Sequence, residues 1–225
     1  MSSPAISFEF FPPKNLQGSF RLWDCVQTLA PLDPSFVSVT FGAGGTTRAL
    51  THEAVDALVK TSDLTVAAHL TCVNATRAET LAIAADYKAA GVNHIVALRG
   101  DPPKDTGAFR PHPSGFNGSI DLTRALADEG FEVTVGAYPE THPNASSQQA
   151  CIDHLKAKID AGATRAITQF FFEADTFLRF RDACADAGIS APILPGILPI
   201  ENWSGVQKFA AQCGANIPQV LQDAF

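Results

Sequence analysis

Alternation constrains this chain more than any other feature. Seven short, β-rich apolar runs lie at residues 6–10, 36–41, 65–70, 94–99, 132–137, 165–171 and 192–197. They are mostly apolar on both faces, as strands covered on both sides must be. Helical patterns fill the spaces between and after them, at 51–60, 76–90, 122–129, 147–161, 174–187 and 203–213. Several close on a glycine suited to a left-handed cap, namely Gly91, Gly130, Gly162 and Gly188. The strand-to-strand intervals average roughly 31 residues, close to the ~30 of one strand–helix–strand unit. Strict alternation of this kind implies parallel strands.

Seven such units predict an α/β fold of the eight-stranded (β/α)8 TIM-barrel type, which typically takes ~250 residues. No linker-like composition breaks the series, so residues 1–225 are expected to form a single barrel domain. An eighth strand and helix have no counterpart, because Phe225 follows the last helix after only a short segment at 217–224. A barrel open at one seam exposes two strand edges. Either the chain is part of a longer one, or another element closes the gap. The Pro- and Gly-rich connection 101–120 lies inside the series and is expected to be an active-site loop.

Composition narrows the function classes. The chain is 46% hydrophobic, enough for a sizeable core, and its 17% of charged residues excludes a disordered chain. A formal net charge of -7, with no run of Lys and Arg, argues against a nucleic-acid partner. The five cysteines, Cys25, Cys72, Cys151, Cys184 and Cys213, contain no CxxC pair. An odd, scattered set reads as reduced cytosolic thiols, not as a disulfide framework or zinc site. No signal peptide and no membrane-spanning apolar stretch is visible, so the expected location is cytoplasmic.

In parallel barrels the chemistry gathers at the C-terminal ends of the strands. Reading those ends gives Glu9, Thr40, His69, then Arg99-Gly100-Asp101, then Tyr138-Pro139-Glu140 with His142, and Gln169. Glu9 stands out because Phe8, Phe10 and Phe11 surround it. It reads either as a carboxylate on the solvent end of a strand or as a general acid. In the second case, burial among aromatics would disfavour its charged form and raise its pKa. Arg99 and Asp101 could pair with each other or cap the loop. Alternatively, Arg99 could hold a phosphate or carboxylate, while Asp101 accepts from ring N–H groups. The loop Gly42-Ala43-Gly44-Gly45-Thr46-Thr47 matches a dinucleotide fingerprint only weakly, since Thr47 stands where its third glycine belongs. No lysine ends the sixth strand for a Schiff base, no HExxH or HxH offers metal ligands, and no GxSxG offers a nucleophilic serine.

Eight segments resemble, in order, the catalytic barrel of the methylenetetrahydrofolate reductase family. They are Phe8-Glu9-Phe10-Phe11-Pro12-Pro13-Lys14, Val39-Thr40-Phe41-Gly42-Ala43-Gly44-Gly45, Ala68-His69-Leu70-Thr71-Cys72 and Ala97-Leu98-Arg99-Gly100-Asp101-Pro102-Pro103. The others are Ala137-Tyr138-Pro139-Glu140-Thr141-His142-Pro143, Asp160-Ala161-Gly162-Ala163, Ile167-Thr168-Gln169-Phe170-Phe171-Phe172 and Pro195-Gly196-Ile197-Leu198-Pro199. The resemblance implies a flavoprotein that binds FAD and reduces it with NADH or NADPH. It then reduces 5,10-methylenetetrahydrofolate to 5-methyltetrahydrofolate at the same site, a ping-pong scheme in one-carbon and methionine metabolism. A homo-oligomer is the expected state of the chain. Glu9 matches the family's general acid, which protonates the folate nitrogen and opens its five-membered ring.

By the same resemblance, FAD-contacting positions fall on Thr40, Ala43, His69, Arg99, Gly100, Asp101, Tyr138, His142, Ala145, His154 and Lys158. Arg99 and Lys158 would face the pyrophosphate or ribose. Asp101, Gln169 and Phe209 fall on substrate-contacting positions, and no metal is implied. Cys151 departs from the pattern, standing where an aspartate would face the adenosine part of FAD. Two variants of the reading are a family member working in the oxidative direction and one working without flavin. A reading of another class is a truncated barrel that binds folate or a partner without catalysis.

Overall fold

The structure, a computed structural model, describes residues 4–41, 48–102 and 109–225. Its residues cluster into two compact units, Met1–Val133 and Thr134–Phe225.

The first unit holds the strands β1 (Ser7–Phe10), β2 (Phe36–Val39), β3 (Val66–Thr71) and β4 (His94–Leu98). Its helices are α1 (Leu16–Leu29), α2 (Arg48–Thr61), α3 (Arg77–Ala89) and α4 (Ser119–Asp128). The strands pair in parallel, and the register sets Glu9 beside Ser38, Ser38 beside Ala67 and Ala67 beside His94. Side chains alternate between the two faces of a strand. One face is therefore aliphatic, with Val37, Val39, Val66, Ala68, Leu70, Ile95 and Ala97 all buried. The other face departs from the expected apolar character: Ser38, His69, Thr71 and His94 are buried there. The edge-to-face contact of His94 with the Phe36 ring, at 4.7 Å, packs the lower part of that face.

The second unit continues β5 (Glu132–Ala137), which begins at the end of the first, and adds β6 (Arg165–Thr168) and β7 (Ile193–Leu194). Its helices are α5 (Gln148–Asp160), α6 (Ala174–Asp186), α7 (Trp203–Cys213) and the short α8 (Gln219–Gln222). Here too the pairing is parallel, with Gly136 beside Ile167 and Ile167 beside Leu194. Strand order follows chain order from β1 to β7, the order of a (β/α) barrel. The predicted fold class therefore holds, with seven strands and no eighth among the described residues.

Local chemistry accounts for the helix starts. Thr76 Oγ1 accepts from the Glu79 amide while the Glu79 carboxylate accepts from the Thr76 amide, a capping box that opens α3. Asn15 opens α1 and Ser147 opens α5 in the simpler one-way form. Gly91, Gly130, Gly162 and Gly188 all adopt the positive φ expected of them. α1 lies outside the predicted helices. β6 and β7 are shorter than predicted, because the chain leaves the ladder after Thr168 and Pro195 brings no N–H. Among the described residues, no helix is long and apolar enough to cross a membrane.

Candidate active site

In the first unit, β1 turns Phe8 and Phe10 to one face and Glu9 to the other. Glu9 Oε2 lies 3.4 Å from Nε2 of His69. The same nitrogen lies 3.2 Å from Ser38 Oγ. The His69 side chain is 6% exposed and that of Glu9 is 50% exposed. Burial pushes the His69 pKa below its ordinary value, and the Glu9 charge only partly opposes this. A neutral imidazole therefore sits between a hydroxyl and a half-exposed carboxylate. The expected burial of Glu9 among phenylalanines is corrected here. Its sequence neighbours face away from it, and its own side opens to solvent.

Thr40 follows β2; its N–H donates to Phe10 O at 2.9 Å, and its carbonyl accepts from Thr51 Oγ1 at 3.0 Å. Arg99 follows β4 with its guanidinium 4.9 Å from the Phe109 ring centre, and its Nε donates to Gly100 O at 3.2 Å. Gly100 has φ +83, and a Cβ on it would lie 2.6 Å from Val73 Cγ1, so no other residue fits. The Cys72 thiol, pushed up to about 11 chiefly by burial, donates to Arg99 O at 3.5 Å. Asp101 is exposed. Ala43 and the rest of the glycine-rich loop 42–47 lie outside the described residues.

In the second unit, the residues after β5 form a compact knot. The Tyr138 and His142 rings meet edge-to-face at 4.5 Å. His142 Nδ1 accepts from the Asn144 amide at 3.0 Å, and His142 O accepts from the Ala145 amide at 2.8 Å. The His142 amide points at Cys151 Sγ, 3.4 Å away, so the departing cysteine serves as a backbone acceptor. Gln148 Nε2 donates to Tyr138 O at 2.9 Å. Lys158 is buried, and its Nζ donates to Gly136 O. Burial lowers its pKa to about 8, with Cys151 pulling the other way. His154 is exposed on α5. The Gln169 amide donates to Ala137 O at 2.8 Å, and its side-chain Oε1 accepts from the Phe170 amide at 3.0 Å. Phe209, on α7, lies 5.1 Å from Phe170, whose ring is 5.7 Å from Phe172.

The structure brings together Glu9 and His69 in the first unit, and Tyr138, His142 and Ala145 in the second. Sequence reasoning passed over Ser38, although a lone hydroxyl in Phe36-Val37-Ser38-Val39 was the available signal. It also left Glu140 without a role.

The model of the family described as methylenetetrahydrofolate reductase matches residues 1–225. The chain belongs to the methylenetetrahydrofolate reductase family. It is 46% identical over 220 residues to the 5,10-methylenetetrahydrofolate reductase of Salmonella typhimurium, covering 98% of this chain and 73% of that one. It is 45% identical over 220 residues to the Escherichia coli protein of the same name, with the same coverage of both chains. A plant relative, methylenetetrahydrofolate reductase (NADH) 1 of Arabidopsis thaliana, is 36% identical over 232 residues, covering 98% of this chain and 39% of that one. Among solved structures, the deoxyribose phosphate aldolase of Aeropyrum pernix is similar with a TM-score of 0.55 at 13% identity, covering 85% of this chain and 76% of that one. That likeness concerns the fold alone.

Each unit by itself carries groups whose chemistry suits part of a dinucleotide-like cofactor. Arg99 is a fixed cation suited to phosphate, and Tyr138 and His142 offer half-buried aromatic surface. Lys158 is a weaker match, since its ammonium already binds a carbonyl of its own sheet.

Proposed function

We propose that the chain is the catalytic domain of an FAD-dependent reductase. It reduces 5,10-methylenetetrahydrofolate to 5-methyltetrahydrofolate with NADH or NADPH, the two substrates using one site in turn. The observation that carries this reading is the Glu9–His69 contact at 3.4 Å at the C-terminal ends of parallel strands, in a chain of this family. The single-domain reading rests on one family model running over residues 1–225.

Glu9 is the proton donor. Opening the folate ring requires a proton on the departing nitrogen, and Glu9 is half-exposed, so a substrate can reach it. His69, neutral and bonded to Ser38, faces the carboxylate as an uncharged, buried partner. FAD, when bound, would supply the hydride chemistry. Thr40, Ala43, His69, Arg99, Gly100, Asp101, Tyr138, His142, Ala145, His154 and Lys158 would hold it, with Arg99 toward its phosphates. Gln169 and Asp101 would hydrogen-bond the folate, and Phe209 would pack on the folate or the nicotinamide.

The test is spectroscopic and kinetic. The purified protein should show a flavin band at about 450 nm that bleaches with NADH or NADPH and returns on adding the folate. Activity without such a band would replace this reading by direct hydride transfer from the nicotinamide. A band that no folate restores would leave the flavin part standing and overturn the substrate.

A further inference from the structure

The loop after β5 and the turn after α7 are joined at two points, neither of which belongs to the residues assigned above. Glu140 Oε1 and Oε2 lie 3.1 and 3.0 Å from the backbone N–H of Asn216, which they share. Gly214 closes α7 in the left-handed conformation at φ 72, and a Cβ there would come within 3.0 Å of Pro143 Cγ. The two contacts lie on either side of His142, in the loop that also carries Tyr138. Five residues before Gly214, α7 carries Phe209, whose ring meets Phe170 at 5.1 Å. The chain thus ties the loop proposed to hold the cofactor to the helix proposed to meet the substrate.

We propose that Glu140 is a positioning residue that fixes α7, and with it Phe209, against the loop after β5. The proposal rests on the reading of Phe209 as a substrate contact given above. Its chemistry is simple. A carboxylate accepting from a backbone amide makes one charge-assisted hydrogen bond, directional enough to fix the turn after α7. Gly214 allows the close packing at Pro143 but supplies no directional bond. Glu140 acts on the reaction only through the aromatic ring that α7 presents.

Two variants separate this from a general loss of stability. Glu140→Gln keeps a carbonyl acceptor for the Asn216 amide, while Glu140→Ala removes it. Hydrogen exchange at Asn216, read on the full chain, should quicken by about fivefold in Glu140→Ala, the scale of one partly exposed hydrogen bond, and stay near the wild-type rate in Glu140→Gln. The KM for 5,10-methylenetetrahydrofolate should rise by about the same factor in Glu140→Ala, with kcat changed less than about twofold. Adding Phe209→Ala to Glu140→Ala should raise KM no further than Phe209→Ala alone, because both act through one ring.

Unchanged exchange at Asn216 in Glu140→Ala overturns the tether. Faster exchange with additive KM effects overturns the route through Phe209. If the wild-type protein reduces no folate, the functional reading has failed. The exchange measurement then still decides whether Glu140 holds the turn.

Discussion

Glu9 and His69 share one contact across two strands, Oε2 to Nε2 at 3.4 Å, yet their exposures are opposite: the imidazole is buried and the carboxylate half in water. On the function proposed above, the pair divides the work between a fixed partner and an accessible proton carrier. Replacing Glu9 by Gln keeps the shape and removes the acid. Reduction of the flavin by NADH or NADPH should continue at close to the wild-type rate. Reduction of the folate should fall by roughly 10²–10⁴-fold, the range for loss of a general acid. Stopped-flow measurement of the two half-reactions separates these, and equal slowing of both would make Glu9 a structural residue.

His69 makes a stability prediction with a definite sign. Its folded pKa lies below the ordinary value of 6.5, mainly through burial. Below pH 6.5 the unfolded chain binds a proton that the folded chain resists, so stability is lost as pH falls through that window. Urea unfolding at steps from pH 7.5 to pH 5 should show a steeper loss in the wild type than in His69→Gln. Matching slopes would mean that His69 titrates equally in both states.

The legibility of these features in the sequence follows their range along the chain. Parallel β-α alternation, the capping glycines and Trp203–Cys213 are local patterns, and the structure reproduces them. Helix α1 was equally local, since Leu16, Phe20, Trp23 and Val26 recur at helical spacing. Three of the four are substantially exposed, so they mark no buried stripe. Glu9 shows a different failure. Adjacency to phenylalanines suggested burial, but a strand sends neighbours to opposite faces, so the relevant surroundings came from Ser38 and His69 on other strands. Glu140 and Asn216 are 76 residues apart, and neither carries a local sign of the other.

Lys158 reverses the usual behaviour of a surface lysine. Burial lowers its pKa from 10.5 to about 8. Between those values the unfolded chain holds a proton that the folded chain has released, so stability should rise with pH across the window. Lys158→Met should abolish that rise. Comparing denaturant midpoints of the two proteins from pH 7 to pH 10 isolates the lysine's contribution. An unchanged slope in the variant would place the titrating group elsewhere.

Gly196 carries the sharpest steric prediction. It follows β7, and its N–H donates to Thr168 Oγ1 at 2.9 Å. A Cβ built on it would lie 2.3 Å from the Thr168 carbonyl oxygen, which is backbone and cannot swing aside. Gly196→Ala must therefore move the end of β6 or the segment after β7. Movement of the end of β6 reaches Gln169, the next residue after Thr168 and the proposed hydrogen-bond partner of the folate. Overpacking of this kind costs about 1–3 kcal/mol, and the variant's thermal midpoint should fall accordingly. Folate KM should rise, because the displaced backbone carries Gln169. Wild-type stability and folate KM in Gly196→Ala would show that the backbone here relaxes without cost, and that Gln169 does not depend on the close approach of these two strands.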